Sequence, residues 1–284
     1  MALNSQIHPL RQEVIDLGAG RSVRLGAVLG KGSACTVYRG ELVTANGVRR
    51  KVAAKVFSTV SSDEAEQVFE SLLKTSQRAA CVDHPNVVQI HECVDWRGQP
   101  TIITELVDGI SLADLQYEYA SSNRRMPLDL ALFIAAEVAE ALAGARVARG
   151  SDGYQLGLVH HSICAREILL SWRGEVKVSD FEMSNARAAT SSIRSLRQLA
   201  ARAAAMAPEV AKGIEADARS DVFAFGVLLY ELLIGPRFPA SLNNGEAMKL
   251  AREGYVQPQT FKPNLPQGAL AIIQRCLEVN PDLR

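Results

Sequence analysis

Two glycines and a lysine carry the first chemical suggestion in this sequence. In Gly30-Lys31-Gly32-Ser33-Ala34-Cys35-Thr36-Val37 the glycines sit between two strand-like runs, where bare backbone N–H groups can approach a triphosphate. Val52-Ala53-Ala54-Lys55 ends on a lysine that can reach phosphate oxygens from the adjacent strand. Alone, such glycines are more often a turn and such a lysine a solvated face.

The elements that must position these groups change character near residue 108. Before it, strand-like runs cover 25–29, 35–42, 52–57, 87–94 and 101–105, with Asn46-Gly47 and Arg97-Gly98 as turns and one helix over about 63–80. After it the spacing is helical. Ser111 caps a helix with Asp114 completing the box, and 128–145 carries an apolar stripe. The run 222–233 is apolar on all sides, as in a helix buried at the centre of a lobe, and a short hairpin over 168–178 turns at Arg173-Gly174. The expectation is an α+β chain in two lobes, a five-stranded antiparallel sheet with one helix followed by a mainly helical lobe.

Further segments continue in order: Leu158-Val159-His160-His161-Ser162-Ile163-Cys164-Ala165-Arg166-Glu167-Ile168-Leu169-Leu170, Val176-Lys177-Val178-Ser179-Asp180-Phe181-Glu182, Met206-Ala207-Pro208-Glu209, and Asp221-Val222-Phe223-Ala224-Phe225-Gly226. Together these resemble a protein kinase of the Ser/Thr type found in bacteria and eukaryotes, from about Val23 to Arg284. The resemblance implies a bilobed kinase-like fold, with an extension over 1–22, a small lobe over 23–107 and a larger one over 108–284 that stops before a last helix. It implies a nucleotide site made by Gly30, Gly32, Val37, Ala53, Lys55, Thr104 as gatekeeper, Glu105 to Val107 as hinge, Leu169 and Asp180. Structural roles fall to His160 packed on Phe181, to Asp221 accepting from the His160-His161 backbone, and to Glu209 paired with Arg284.

The same resemblance marks what is missing. Ser162 stands where the family has its Asp base, and a neutral hydroxyl forfeits a contribution of about 10²–10⁴-fold. Glu167 replaces the metal-binding Asn, Cys164 the loop lysine, His161 the arginine that reads a phosphorylated loop, Glu182 the glycine after Asp-Phe and Cys35 the third loop glycine. Counting back from His84-Pro85-Asn86, the helix glutamate that should hold Lys55 falls on Thr75, with Glu70 on another face. The implied protein is a pseudokinase, a regulatory or scaffolding module; the alternative is a weak or atypical phosphotransferase. Asp180, with Glu167 beside it, would hold Mg²⁺, so a bound Mg-ATP and an empty core both stay open.

Between Met183 and Ala205 lie Arg187, Arg194, Arg197 and Arg202 with no acidic residue. This run reads as a solvated helix that doubles as a docking face for a protein partner or an active kinase, and Ser191, Ser192 and Ser195 beside the arginines are phosphorylatable. Across the 284 residues Lys+Arg and Asp+Glu are both 31, so no global field draws the chain to nucleic acid or an anionic membrane. With 48% hydrophobic and 22% charged residues, disordered and collagen-like classes are excluded. Five widely spaced cysteines argue against a disulfide framework or zinc site, and fit a reducing cytoplasm.

Overall fold

Val52-Ala53-Ala54 and Ile102-Ile103 are apolar on both sides, so the sheet they build must be covered on both faces. The computed structural model, which describes residues 13–32, 35–58, 62–161, 163–181, 203–239, 241–256 and 265–284, shows how. Strands β1 (Val14–Gly18), β2 (Arg21–Lys31), β3 (Cys35–Val43) and β4 (Arg49–Phe57) precede helix α1 (Ser62–Ala79), and β5 (Ile90–Trp96) and β6 (Gln99–Glu105) follow it. They form one antiparallel sheet in the order β1-β2-β3-β4-β6-β5. One face buries Cys35, Phe57 and Ile102 against Val68 and Leu72 of α1. The other buries Val52, Ala54, Val56 and Ile103 under Ile15, Val23, Leu25 and Trp96.

That second cover corrects the sequence expectation of five strands. Val14–Gly18, within the residues read as an extension, pairs antiparallel with β2 and lays a fully buried Ile15 on the sheet. The indole N–H of Trp96 donates to the Val14 carbonyl (3.3 Å). The Asn46-Gly47 turn also differs. A loop over 44–48 joins β3 to β4, closed by the Thr44 N–H donating to the Val48 carbonyl (2.9 Å), and only Gly47 is left-handed, at φ +79°. Arg97 and Gly98, both at positive φ (57° and 75°), make the two-residue turn their position suggests. The run expected from Val87 enters the sheet only at Ile90; Val87 makes a lone bridge to Val178 instead.

The larger lobe contains β7 (Gly109–Ser111), α2 (Leu112–Ser121), α3 (Leu128–Val147), β8 (Ile168–Ser171), β9 (Val176–Val178), α4 (Pro208–Ala211), α5 (Ala218–Leu233), α6 (Asn244–Glu253) and α7 (Gln267–Cys276). The Ser111–Asp114 capping box starts α2 as the spacing predicts. Helix α5, started by the Asp217 side chain accepting from the Arg219 N–H, is buried along most of its length between α3 and α7. Gly226 permits this approach, since a Cβ there would lie 2.5 Å from that of Cys276. β7, β8 and β9 form a small second sheet at the base of the inter-lobe cleft.

Glu209 and Arg284 join as the sequence implies: Nη1 donates at 2.5 Å and Nη2 at 2.9 Å, with the Arg284 side chain 1% exposed. Burial pushes the Glu209 carboxyl up, but hydrogen bonds from Arg284, its own backbone and Ser220 outweigh it and hold the group below the ordinary glutamate range. A depressed carboxylate stabilises the fold above its unfolded pKa and ceases to as pH falls through the folded value. Glu209→Ala, which strands a buried guanidinium, is expected to cost about 3–5 kcal/mol and lower the melting temperature by about 10 °C. Glu209→Gln should in addition flatten the acid limb of a stability-against-pH curve measured by denaturant titration.

Candidate functional site

Cross-strand register sets the roof of the cleft. Val37 opposes Lys55, and Lys55 opposes Ile102; Arg39 opposes Ala53, and Ala53 opposes Thr104. Opposed residues share a face, so Val37, Arg39, Ala53, Lys55 and Thr104 all look the same way. Leu169, on β8 opposite Lys177, comes from the lobe below. A Cβ built on Gly30 would meet nothing within 4 Å, so the glycine loop leaves open space beside it. Cys35, for all that it replaces a glycine, buries its side chain with Phe57, Val68 and Leu72.

Lys55 pairs with Asp180, the two side chains being 12% and 8% exposed. Thr75, at the place expected for a helix glutamate, is buried in α1, while Glu70 is exposed. The ammonium is therefore held from the lower lobe. Asp180 itself adopts a left-handed φ of +66°. His160, fully buried, donates from Nε2 to the Ser179 carbonyl (2.8 Å), because a carbonyl can only accept. Its ring meets Phe181 edge to face at 4.7 Å, the packing the resemblance implies. Asp221 accepts from the backbone N–H of His160 (2.5 Å) and of His161 (2.9 Å), also as implied.

Glu167 closes a single 3₁₀ turn, Ala165–Glu167, and its carbonyl accepts from the Ser179 N–H (2.8 Å). That bond puts Glu167 beside the residue preceding Asp180. Among the described residues, no group of three His, Cys, Asp or Glu side chains forms a metal cluster. Burial, with the Glu167 charge, pushes the Cys164 thiol up to about 11, so it is no thiolate nucleophile at neutral pH. Ser162, Glu182 and the arginines at 187, 194, 197 and 202 lie outside the described residues.

Two ion pairs that sequence reasoning missed also join the lobes. Lys177 donates to the Glu105 carboxylate at the hinge (2.8 Å), and that carboxylate accepts from the Gln89 N–H (2.9 Å). Arg39 reaches Asp108 at the outer mouth (2.9 Å). The signal for Arg39 was its place two residues beyond Val37, on the same face of a strand. Behind Thr104, whose side chain is buried, lies a cavity of about 10 Å³, room for about one water, between Ala79, Ile102 and Phe181.

A small antiparallel lobe with one helix, a helical lobe and a cleft carrying Lys55 above Asp180 define a kinase-type fold. The same fold is seen in the PknI kinase domain of Mycobacterium tuberculosis, with a TM-score of 0.65, 22% identity, and coverage of 94% of this chain and 90% of that one. Residues 23–284 match the family described as protein tyrosine and serine/threonine kinase, and the chain belongs to that family. It is 32% identical over 277 residues to the probable serine/threonine-protein kinase SCO3848 of Streptomyces coelicolor, covering 93% of this chain and 38% of that protein. It is 28% identical over 265 residues to the serine/threonine-protein kinase PknB of Mycobacterium leprae, covering 92% and 40%. The chain thus spans about two fifths of the length of these relatives.

Because Lys55 and Asp180 are nearly buried, removing either takes an ion-pair partner from a charge largely withdrawn from water. Lys55→Met and Asp180→Asn should each destabilise by about 3 kcal/mol, and the double variant by less than their sum, giving a coupling of at least about 1 kcal/mol in denaturant unfolding. Strict additivity would show that the pair does not form.

Proposed function

We propose that this domain is a pseudokinase: a kinase-family module that has lost efficient phosphotransfer and works by binding another protein. The observation that carries the proposal is the loop leading to Asp180, with Ser162 at the base position, Cys164 in place of the lysine and Glu167 in place of the Asn. A hydroxyl with its ordinary high pKa takes no proton from a substrate at neutral pH. The holding of Lys55 by Asp180, with Thr75 where the helix carboxylate belongs, supports the same reading.

The residues present fit a nucleotide in part. Val37, Ala53 and Leu169 would enclose a base, the hinge from Glu105 to Val107 would offer backbone groups, and open space beside Gly30 would admit phosphates. Asp180, with Glu167, would hold Mg²⁺, which when bound neutralises phosphate charge. Lys55 must exchange its carboxylate partner for phosphate in such a complex, so ATP here is a structural ligand in exchange for an internal ion pair. The protein partner, an active kinase among the candidates, would dock on the arginines at 187, 194, 197 and 202, and the setting is cytoplasmic. Among the described residues, no helix is long and apolar enough to cross a membrane.

A second reading, weak or atypical phosphoryl or nucleotidyl transfer using Lys55, Asp180 and Glu167, is favoured by the retention of Lys55 and Asp180 and by relatives named serine/threonine kinases. Labelled ATP separates the two. The pseudokinase reading expects no transfer from γ-labelled or α-labelled ATP at high protein concentration, and transfer that is lost on Asp180→Ala would establish the second reading instead. In a thermal melt, Mg-ATP at about 100 times its Kd should add about 2.7 kcal/mol, a rise of roughly 5 °C that Lys55→Ala removes. An unmoved midpoint would mean a scaffold without nucleotide.

A further inference from the structure

The loop after α5 places an arginine inside the larger lobe. Arg237 is fully buried, and its guanidinium lies 4.9 Å from the Phe223 ring centroid and 4.6 Å from that of Phe238. Nη1 donates to the carbonyls of Ala204 (2.8 Å) and Met206 (2.9 Å), and Nε to that of Tyr255 (2.9 Å). Among the described residues Nη2 has no partner. Glu231 is the carboxylate whose charge acts on it, and one of its oxygens accepts the Arg237 backbone N–H (3.3 Å).

A charge is costly to bury, and an apolar side chain would fill the space between two phenylalanine rings without that cost. What the guanidinium alone supplies is a rigid plane, oriented by Nε on the Tyr255 carbonyl, whose Nη1 donates to two carbonyls of one short stretch. Two residues beyond Met206 that stretch enters α4, where Glu209 is pinned by Arg284, and Arg284 lies 4.8 Å from the centroid of the same Phe223 ring. Two arginines that share one phenylalanine thus hold residues 203–209 by their backbone at one end and by a side chain at the other.

We propose that Arg237 sets the shape of residues 203–207 from within the lobe, so that this stretch keeps one conformation without phosphorylation of the serine-bearing residues that precede it. His161, standing where relatives carry a phosphate-reading arginine, removes the usual alternative. The inference rests on the family assignment and stands whether or not the domain transfers phosphate.

Hydrogen exchange read by mass spectrometry on the whole unphosphorylated chain tests it, with intact mass confirming the absence of phosphate. The expected result is protection of amides over 203–211 in the wild type. In Arg237→Met, which keeps a side chain between Phe223 and Phe238, those amides should exchange at least tenfold faster while α3 and α5 are unchanged. Arg237→Lys, a point charge without that plane, should fall between, and it decides the question if the methionine variant does not fold. Wild-type protection that appears only after treatment with an active Ser/Thr kinase would overturn the proposal. So would unchanged exchange in both variants, or a uniform loss of protection across the lobe.

Discussion

Asp221 is 6% exposed, and both of its carboxylate oxygens accept backbone N–H groups, those of His160 and His161. Burial pushes its pKa up, with the His160 charge and the two hydrogen bonds pulling the other way, and the balance stays above the ordinary aspartate value. The carboxylate anchors a strained loop, since His161 holds a left-handed φ of +68° of a kind that costs of order 1–3 kcal/mol. From that anchor the lower cleft is built outward. The fixed backbone aims the His160 ring, which holds the Ser179 carbonyl and packs on Phe181, and the residue between those two is Asp180. Lys55 then finds its partner across the cleft because a helix in the other lobe has set a loop.

The groups that hold the fold and those that would move a phosphate separate cleanly in this chain. Asp221, His160, Glu209 and Arg284 make bonds whose value lies in folding, and all four are present and satisfied. Ser162, Cys164 and Glu167 stand where the kinase resemblance places the Asp, Lys and Asn of its catalytic loop, and the proposed loss of phosphotransfer rests on those three exchanges. Three ion pairs span the cleft. Lys55–Asp180 at the inner wall, Lys177–Glu105 at the hinge and Arg39–Asp108 at the mouth span it with charges already in the chain. The first two are mostly withdrawn from water, where opposite charges attract strongly; the third is exposed and weaker.

Much of this was legible from residue order because the informative positions are local or absolute. A run apolar on every side, as in Val222 to Leu233, has few places to go but the centre of a lobe, and Arg97-Gly98 fixes its turn by backbone sterics alone. The misses have a common cause, dependence on what lies across space. Val14-Ile15-Asp16-Leu17-Gly18 is too short and too interrupted to announce a strand, and becomes one only because β2 offers an edge and Trp96 a cover. Arg237 reads as one more surface cation until the rings of Phe223 and Phe238 close round it. Asn46-Gly47 is a strong hairpin signal, yet Thr44 and Val48 set the loop length by pairing outside it.

The strand at Val14–Gly18 also bears on where this domain can be cut. The family pattern begins at residue 23, and a clone begun there would lose Ile15 from above Val52, Ala54 and Ile103 and leave the outer edge of β2 without its partner. An unpaired, twisted edge beside bared aliphatic surface is the geometry through which sheets from separate molecules stick together. For this chain the stretch the family pattern matches and the stretch that completes the sheet begin at different residues, and the second lies upstream of the first.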